Sequence, residues 1–165
     1  MPESLSSSSF RGLLRYAAVW RACGSVDSVL ILGGAGSVLQ SVAMSTEANV
    51  ILLVDDDELA RDATAECLTL AGFDVRVASN GRDALEKLET FRPDLLIVDW
   101  RMPVMSGEEL LAALEADASL STIPAVVLSG LRPWEIGITS ATILQKPLRM
   151  QALLAVVRDR LRPAG

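Results

Sequence analysis

The eight residues Ile51-Leu52-Leu53-Val54-Asp55-Asp56-Asp57-Glu58 set four aliphatic side chains directly against four carboxylates. A short aliphatic run without polar alternation fits a strand covered on both faces, as in a parallel sheet flanked by helices. The acids then fall at the carboxyl end of that strand, where open parallel sheets bind their ligands. The same pattern returns outward along the chain, giving expected strands at residues 50–54, 74–78, 95–98, 125–128 and 142–144. Between them Leu59, Ala63, Cys67 and Leu70 recur at helical spacing, as do Ala84, Leu85 and Leu88, then Leu110, Leu111 and Leu114, and last Leu148, Leu153, Val157 and Leu161. These are expected to be core faces of crossover helices. Breakers agree: Ala71-Gly72 closes the first helix, Asn80-Gly81 opens the second, and Arg92-Pro93 and Ile123-Pro124 precede the third and fourth strands. The expected fold is α/β, a doubly wound five-stranded parallel sheet.

Composition bounds what such a domain does. The chain has 165 residues, 50% of them hydrophobic, enough for one domain with a real core and a tail. Lys and Arg number 15 against 21 Asp and Glu, and no basic stripe stands out, so direct DNA or RNA binding is not expected. There is no histidine, which removes His-based triads and the common zinc sites, so any phosphoryl chemistry has to use carboxylates. Cys23 and Cys67 form no metal or disulfide pattern. The most apolar early stretch, residues 29–44, is cut by Gly33, Gly34, Gly36, Ser37, Gln40 and Ser41, so no membrane span is expected and the protein is placed in the cytoplasm. Residues 1–47 hold three acids and three bases, leaving the whole net charge of −6 to the remainder. Residues 1–47 are therefore read as an extension and 48–163 as the domain.

The residues standing just beyond each aliphatic run are polar: Asp55, Asp56 and Asp57 after the first, Asp99 after the third, Ser129 after the fourth, and Gln145-Lys146-Pro147 after the fifth. Carboxylates gathered at one sheet end repel, and a hard cation among them relieves this. Mg²⁺ suits such a site, being held by one or two carboxylates, waters and phosphate oxygens. Asp57 and Glu58 are read as helix N-terminal acids, meeting free N–H groups and the positive end of the dipole.

Taken together, Ile51 to Glu58, then Leu95-Leu96-Ile97-Val98-Asp99-Trp100-Arg101-Met102-Pro103 with Gly107, then Val126-Val127-Leu128-Ser129, then Lys146-Pro147, resemble the receiver domains of response regulators in two-component signalling. The likeness is ordered and covers roughly residues 49–162. It implies a flavodoxin-like receiver fold, with Asp99 as phosphoacceptor and Asp56, Asp99 and the backbone carbonyl of Arg101 as Mg²⁺ ligands. Asp55 would act in the same pocket through a metal-bound water. Lys146 and Ser129 would contact the phosphoryl oxygens. It implies a sensor histidine kinase or a histidine phosphotransfer protein as donor. The chain stops soon after its last helix, so a stand-alone receiver with a downstream protein partner is the expected form.

The sequence also departs from the family pattern. Ile143 stands where receivers usually carry an aromatic residue on the fifth strand, which puts the usual rotamer switch in doubt. Arg132-Pro133-Trp134-Glu135-Ile136-Gly137 is a poor helix, so a shortened or missing fourth helix is expected. Trp134 is either a partner anchor or packs over that segment. These departures support the alternative of a constitutive pseudo-receiver, a binding module indifferent to phosphorylation. Gly33-Gly34-Ala35-Gly36 resembles a dinucleotide-binding turn but lacks the third glycine, Leu39 standing there, and lacks the βαβ continuation. Met44 is read as the true start, with residues 1–43 as translated upstream sequence. A carboxylate-nucleophile phosphatase wants a second acid two residues after the nucleophile, where Arg101 stands.

Overall fold

The computed structural model describes residues 48–137 and 140–162, with the backbone alone at Trp134. The readings of residues 1–47, of the glycine turn and of a start at Met44 lie outside the described residues, as does the Trp134 side chain.

Among the described residues five strands alternate with five helices: β1 (Val50–Val54), α1 (Glu58–Leu70), β2 (Asp74–Ala78), α2 (Gly81–Leu88), β3 (Leu95–Asp99), α3 (Gly107–Ala116), β4 (Ala125–Ser129), α4 (Pro133–Ile136), β5 (Thr142–Gln145) and α5 (Met150–Arg160). All pairings are parallel, in the order β2-β1-β3-β4-β5. Successive strand residues point to opposite faces, and the aliphatic runs use this fully. Leu52, Val54, Leu96, Val98 and Val127 pack with Ala84, Leu88, Leu110, Leu111 and Leu114 of α2 and α3. Their neighbours Ile51, Leu53, Leu95, Ile97, Val126 and Leu128 pack on the other face with Leu68, Leu153, Leu154 and Val157 of α1 and α5. Both faces are covered, so the sheet is doubly wound.

Three strands run one residue further than their aliphatic letters suggest, ending on Asp99, Ser129 and Gln145. Hydrogen bonding continues past them: Trp100 N–H donates to Leu128 O at 2.9 Å and Lys146 N–H to Ser129 O at 2.7 Å. The polar residues at the strand ends are thus held by the ladder itself.

Local signals place the helix starts. Asp57 caps α1 by accepting from Leu59 N–H and Ala60 N–H. Asn80 caps α2 through Asp83 N–H at 3.0 Å. Ser106 and Glu109 form a reciprocal capping box at α3, with Ser106 N–H donating to the Glu109 carboxylate at 2.8 Å. The expected short fourth helix is one turn of four residues, opened by Pro133 and closed by Gly137 at φ 69°.

The expected core face of α1 needs correction. Leu59 is 84% exposed and Leu70 44%, and Ala63 is also exposed, while the buried residues are Cys67 and Leu68. The helix carries two neighbouring apolar stripes rich in small residues, and periodicity alone does not rank them. The stripe through Ala65, Leu68 and Ala71 is the one that reaches the sheet.

Candidate functional site

Asp55, Asp99 and Ser129 are the buried polar side chains among the described residues, at 4%, 8% and 2% exposure. Adjacent parallel strands bring them to one edge: β1 beside β3, and β3 beside β4. Asp56, next in the β1–α1 turn, is exposed, and carboxylate oxygens of Asp55, Asp56 and Asp99 lie within 4.8 Å of one another. Lys146 arrives from the end of β5, its Nζ 2.7 Å from Asp99 Oδ1 and 3.5 Å from Asp55 Oδ2.

The charges answer each other. Burial pushes the Asp55 carboxyl above its ordinary value and the nearby Asp99 charge adds to this, against the opposing pull of the Asp57 N–H and Lys146. Burial disfavours the Lys146 ammonium, but its hydrogen bond to Asp99 and the charges of Asp99 and Asp55 outweigh that and raise its pKa. Lys146 is therefore a lasting cation, and the acids retain an excess of negative charge. Three carboxylates offering close oxygen donors fit a hard divalent ion better than any softer metal.

A pocket of about 260 Å³ opens over these groups, lined by Asp99, Trp100, Arg101, Ser129, Gly130 and Lys146. Every residue singled out from the sequence for the site is thus brought to one place: Asp55, Asp56, Asp99 and Lys146 through their charges, and Arg101 and Ser129 along the pocket wall. The Ser129 hydroxyl oxygen accepts from Leu131 N–H at 3.0 Å, which ties it to the loop before α4. The Lys146-Pro147 peptide is cis.

Some features escaped the sequence reading. Trp100, 7% exposed, and Gly130 are pocket walls, for which polar-residue patterns give no signal. The Arg61 guanidinium donates through Nη1 to the Asp55 carbonyl at 2.9 Å. Gly107 was visible in the motif, yet its reason is spatial: a Cβ there would lie 2.5 Å from the Asp99 carbonyl oxygen and 3.1 Å from Trp100 Cα.

Comparison with known proteins places this geometry. The response regulator receiver domain pattern matches residues 51–158. The probable transcriptional regulator ycf29 of Pyropia yezoensis is 32% identical over 116 residues, 66% of this chain and 51% of the relative. The DNA-binding response regulator MtrA of Mycobacterium tuberculosis is 31% identical over 121 residues, 72% of this chain and 53% of the relative. The chain spans about half the length of these curated relatives.

Among solved structures, the signal receiver domain of a histidine kinase from Syntrophus aciditrophicus aligns with TM-score 0.65 and 29% identity, covering 69% of this chain and 90% of that one. Chemotaxis protein CheY4 of Vibrio cholerae aligns with TM-score 0.64 and 29% identity, covering 69% of this chain and 99% of that one.

These relatives correct the expectation that direct DNA binding is foreign to such a protein, since MtrA is a DNA-binding response regulator. The acidic balance describes the surface of this chain, and a domain's own charge does not decide what a protein containing it contacts. Among the described residues no helix is long and apolar enough to cross a membrane. An ordered strand-by-strand pattern, five parallel strands in the receiver order and an acid pocket at their carboxyl ends are one observation made three ways: the chain belongs to the response regulator receiver domain family.

Proposed function

We propose that residues 48–163 act as a phosphoacceptor receiver, with Asp99 taking a phosphoryl group from a histidine kinase or a histidine phosphotransfer protein. The observation that carries this reading is Asp99 itself: buried at the end of β3, 2.7 Å from a lysine ammonium, and grouped with two further carboxylates beside an open polar pocket. One Asp99 carboxylate oxygen attacks the phosphorus, the bond from phosphorus to the donor's imidazole nitrogen breaks, and the electron pair stays on that nitrogen. The product is an acyl phosphate.

Asp55, Asp56, Asp99 and the Arg101 carbonyl would hold Mg²⁺, whose charge offsets that of the acids and of the incoming phosphoryl oxygens. Lys146, held protonated by its acidic neighbours, leaves Asp99 to pair with a phosphoryl oxygen once the carboxylate becomes an uncharged acyl group of the mixed anhydride. The Ser129 hydroxyl donates to another oxygen while still accepting from Leu131 N–H. Positioning and charge compensation supply most of the rate in such transfers, so no further acid or base is needed. The chemistry is confined to making and losing this acyl phosphate.

The test is intact mass after incubation with Mg²⁺ and acetyl phosphate, with Asp99→Asn alongside. A gain of about 80 Da, one phosphoryl group on a carboxylate nucleophile, is expected in wild type alone. A folded wild-type protein that gains nothing would return the reading to a constitutive binding module.

A further inference from the structure

Arg61 is the unexplained group beside the site. It lies one turn into α1, half-buried, and its Nη1 donates to the Asp55 carbonyl at 2.9 Å. Its Nε is buried with no hydrogen-bond partner, and among the described residues its guanidinium makes no ion pair. Arginine has five N–H donors in a fixed fork, and a buried one is ordinarily matched by a carboxylate or several carbonyls. Here the backbone of the acid turn receives its bond.

We propose that Arg61 is a positioning residue for Mg²⁺ binding, a role that rests on the phosphoacceptor reading. The Asp55 side chain is already restrained: Oδ1 accepts from Asp57 N–H at 2.9 Å, and Oδ2 faces Lys146. Asp56 differs, being exposed and without a side-chain hydrogen bond among the described residues. The Asp55 carbonyl and the Asp56 nitrogen and Cα share one rigid peptide plane. A donor fixed on that carbonyl therefore sets the plane, and the plane sets where the Asp56 carboxylate can go.

A positive charge near a cation site also repels the ion, so two effects oppose. The guanidinium lies beyond ion-pair distance of all three carboxylates, and charge effects at such range are damped by the solvent around Asp56. Orientation is short-ranged and undamped, so it prevails and losing Arg61 weakens the ion rather than tightening it.

Mg²⁺ titrations followed by tryptophan fluorescence test this, since Trp100 lines the pocket. The proteins are wild type, Arg61→Met, which removes the donor, and Arg61→Lys, which restores one. Acyl phosphate yield from acetyl phosphate at limiting and at saturating Mg²⁺, and Tm in EDTA, are read beside them.

Arg61→Met is expected to raise the half-saturating Mg²⁺ concentration about tenfold or more, as groups that orient metal ligands do, with yield recovering at saturating Mg²⁺. Arg61→Lys should return most of the affinity. If Arg61→Met does not fold, Arg61→Gln carries the same comparison. Unchanged or tighter Mg²⁺ binding in the methionine variant, or a loss of Tm in EDTA with no change in affinity, would overturn the role. A wild-type protein that ignores Mg²⁺ would instead sink the phosphoacceptor reading beneath it.

Discussion

Replacing Gly107 with alanine puts a single methyl group into the most crowded place near the site. The added Cβ would meet Asp99 O at 2.5 Å, Trp100 Cα at 3.1 Å and Val98 Cγ1 at 3.2 Å. Two of the three are backbone atoms of β3 and its exit, and Gly107 N–H already donates to Trp100 O at 3.1 Å, which keeps the two segments together. Overpacking of this kind costs about 1–3 kcal/mol. Alanine recovers about 0.5–1 kcal/mol as the better helix residue. A 2.5 Å approach to a backbone oxygen puts the cost in the upper half of that range, so the clash wins. The net loss is about 1–2 kcal/mol, with a Tm lower by roughly 4–8 °C for a domain of this size. The displaced atom is the carbonyl of Asp99 itself, so acyl phosphate formation should slow by more than the stability loss explains. Calorimetry and acetyl phosphate labelling at a temperature where both proteins are folded read the two effects. Gly130→Ala is the control for Tm alone, since Gly130 lines the pocket but has nothing within 4 Å of the place its new methyl group would take. A Gly107→Ala protein with the wild-type Tm and labelling rate would refute the reasoning, because the α3 start would then be free to back away from β3.

Four further outcomes are expected. Mg²⁺ at about 100 times its Kd should stabilise the fold by about 2.7 kcal/mol, seen as a higher Tm that EDTA reverses and that Asp56→Asn lacks. Val104 has a φ of 70°, costly for a β-branched residue, and is 78% exposed, so Val104→Asn should raise stability by about 1 kcal/mol in denaturant melts. Burial is the largest single influence on Asp83 and raises it, but Lys87, which bonds it at 2.9 Å, and Ser79 together outweigh that and hold it below its ordinary value of 3.8. A depressed carboxylate stabilises above its unfolded pKa and loses that contribution as pH falls through the lower folded value, so the Tm gap between wild type and Asp83→Asn should close below pH 3.8. Phosphorylation should alter amide exchange at Leu131, whose N–H is bonded to Ser129 Oγ, and Ser129→Ala should abolish that response.

Strand interiors were legible because Leu52-Leu53-Val54 and Leu95-Leu96-Ile97-Val98 face apolar packing on both sides, so their letters carry no competing demand. The three strand ends were misjudged by a residue because Asp99, Ser129 and Gln145 obey the ladder with their backbones while their side chains serve the pocket. Asp57 announced its helix because a cap is a local event, settled within three residues. The buried face of α1 was not legible, since Leu59 and Leu68 are equally apolar and the choice lies in which one meets β1 and β3. Asp55, Asp99 and Lys146 could be gathered from sequence because strand order puts their strand ends together. Arg61, Trp100 and Gly107 act through a carbonyl, a wall and a missing methyl group, none of which residue type reveals.

The aliphatic Ile143 and the one-turn α4 bear on how a phosphoryl group on Asp99 would be felt elsewhere. Ile143 is half-buried against the α2 and α3 side of the core and pairs in register with Val127, so it has no ring to swing between pocket and solvent. A backbone path is nonetheless in place. Ser129 O accepts from Lys146 N–H at 2.7 Å, and Ser129 Oγ accepts from Leu131 N–H at 3.0 Å. The two side chains proposed to grip the phosphoryl group therefore sit on residues bonded to each other, at the ends of β4 and β5. A pull on either would bear on the β4–α4 loop, and α4 is short: four residues, opened by Arg132 N–H donating to the Glu135 carboxylate at 2.6 Å and closed by a left-handed glycine. A helix of one turn is a low-stability element, and such elements shift for small inputs. On the phosphoacceptor reading, the response is therefore expected to reach residues 130–137 through these backbone bonds rather than through the side chain at 143.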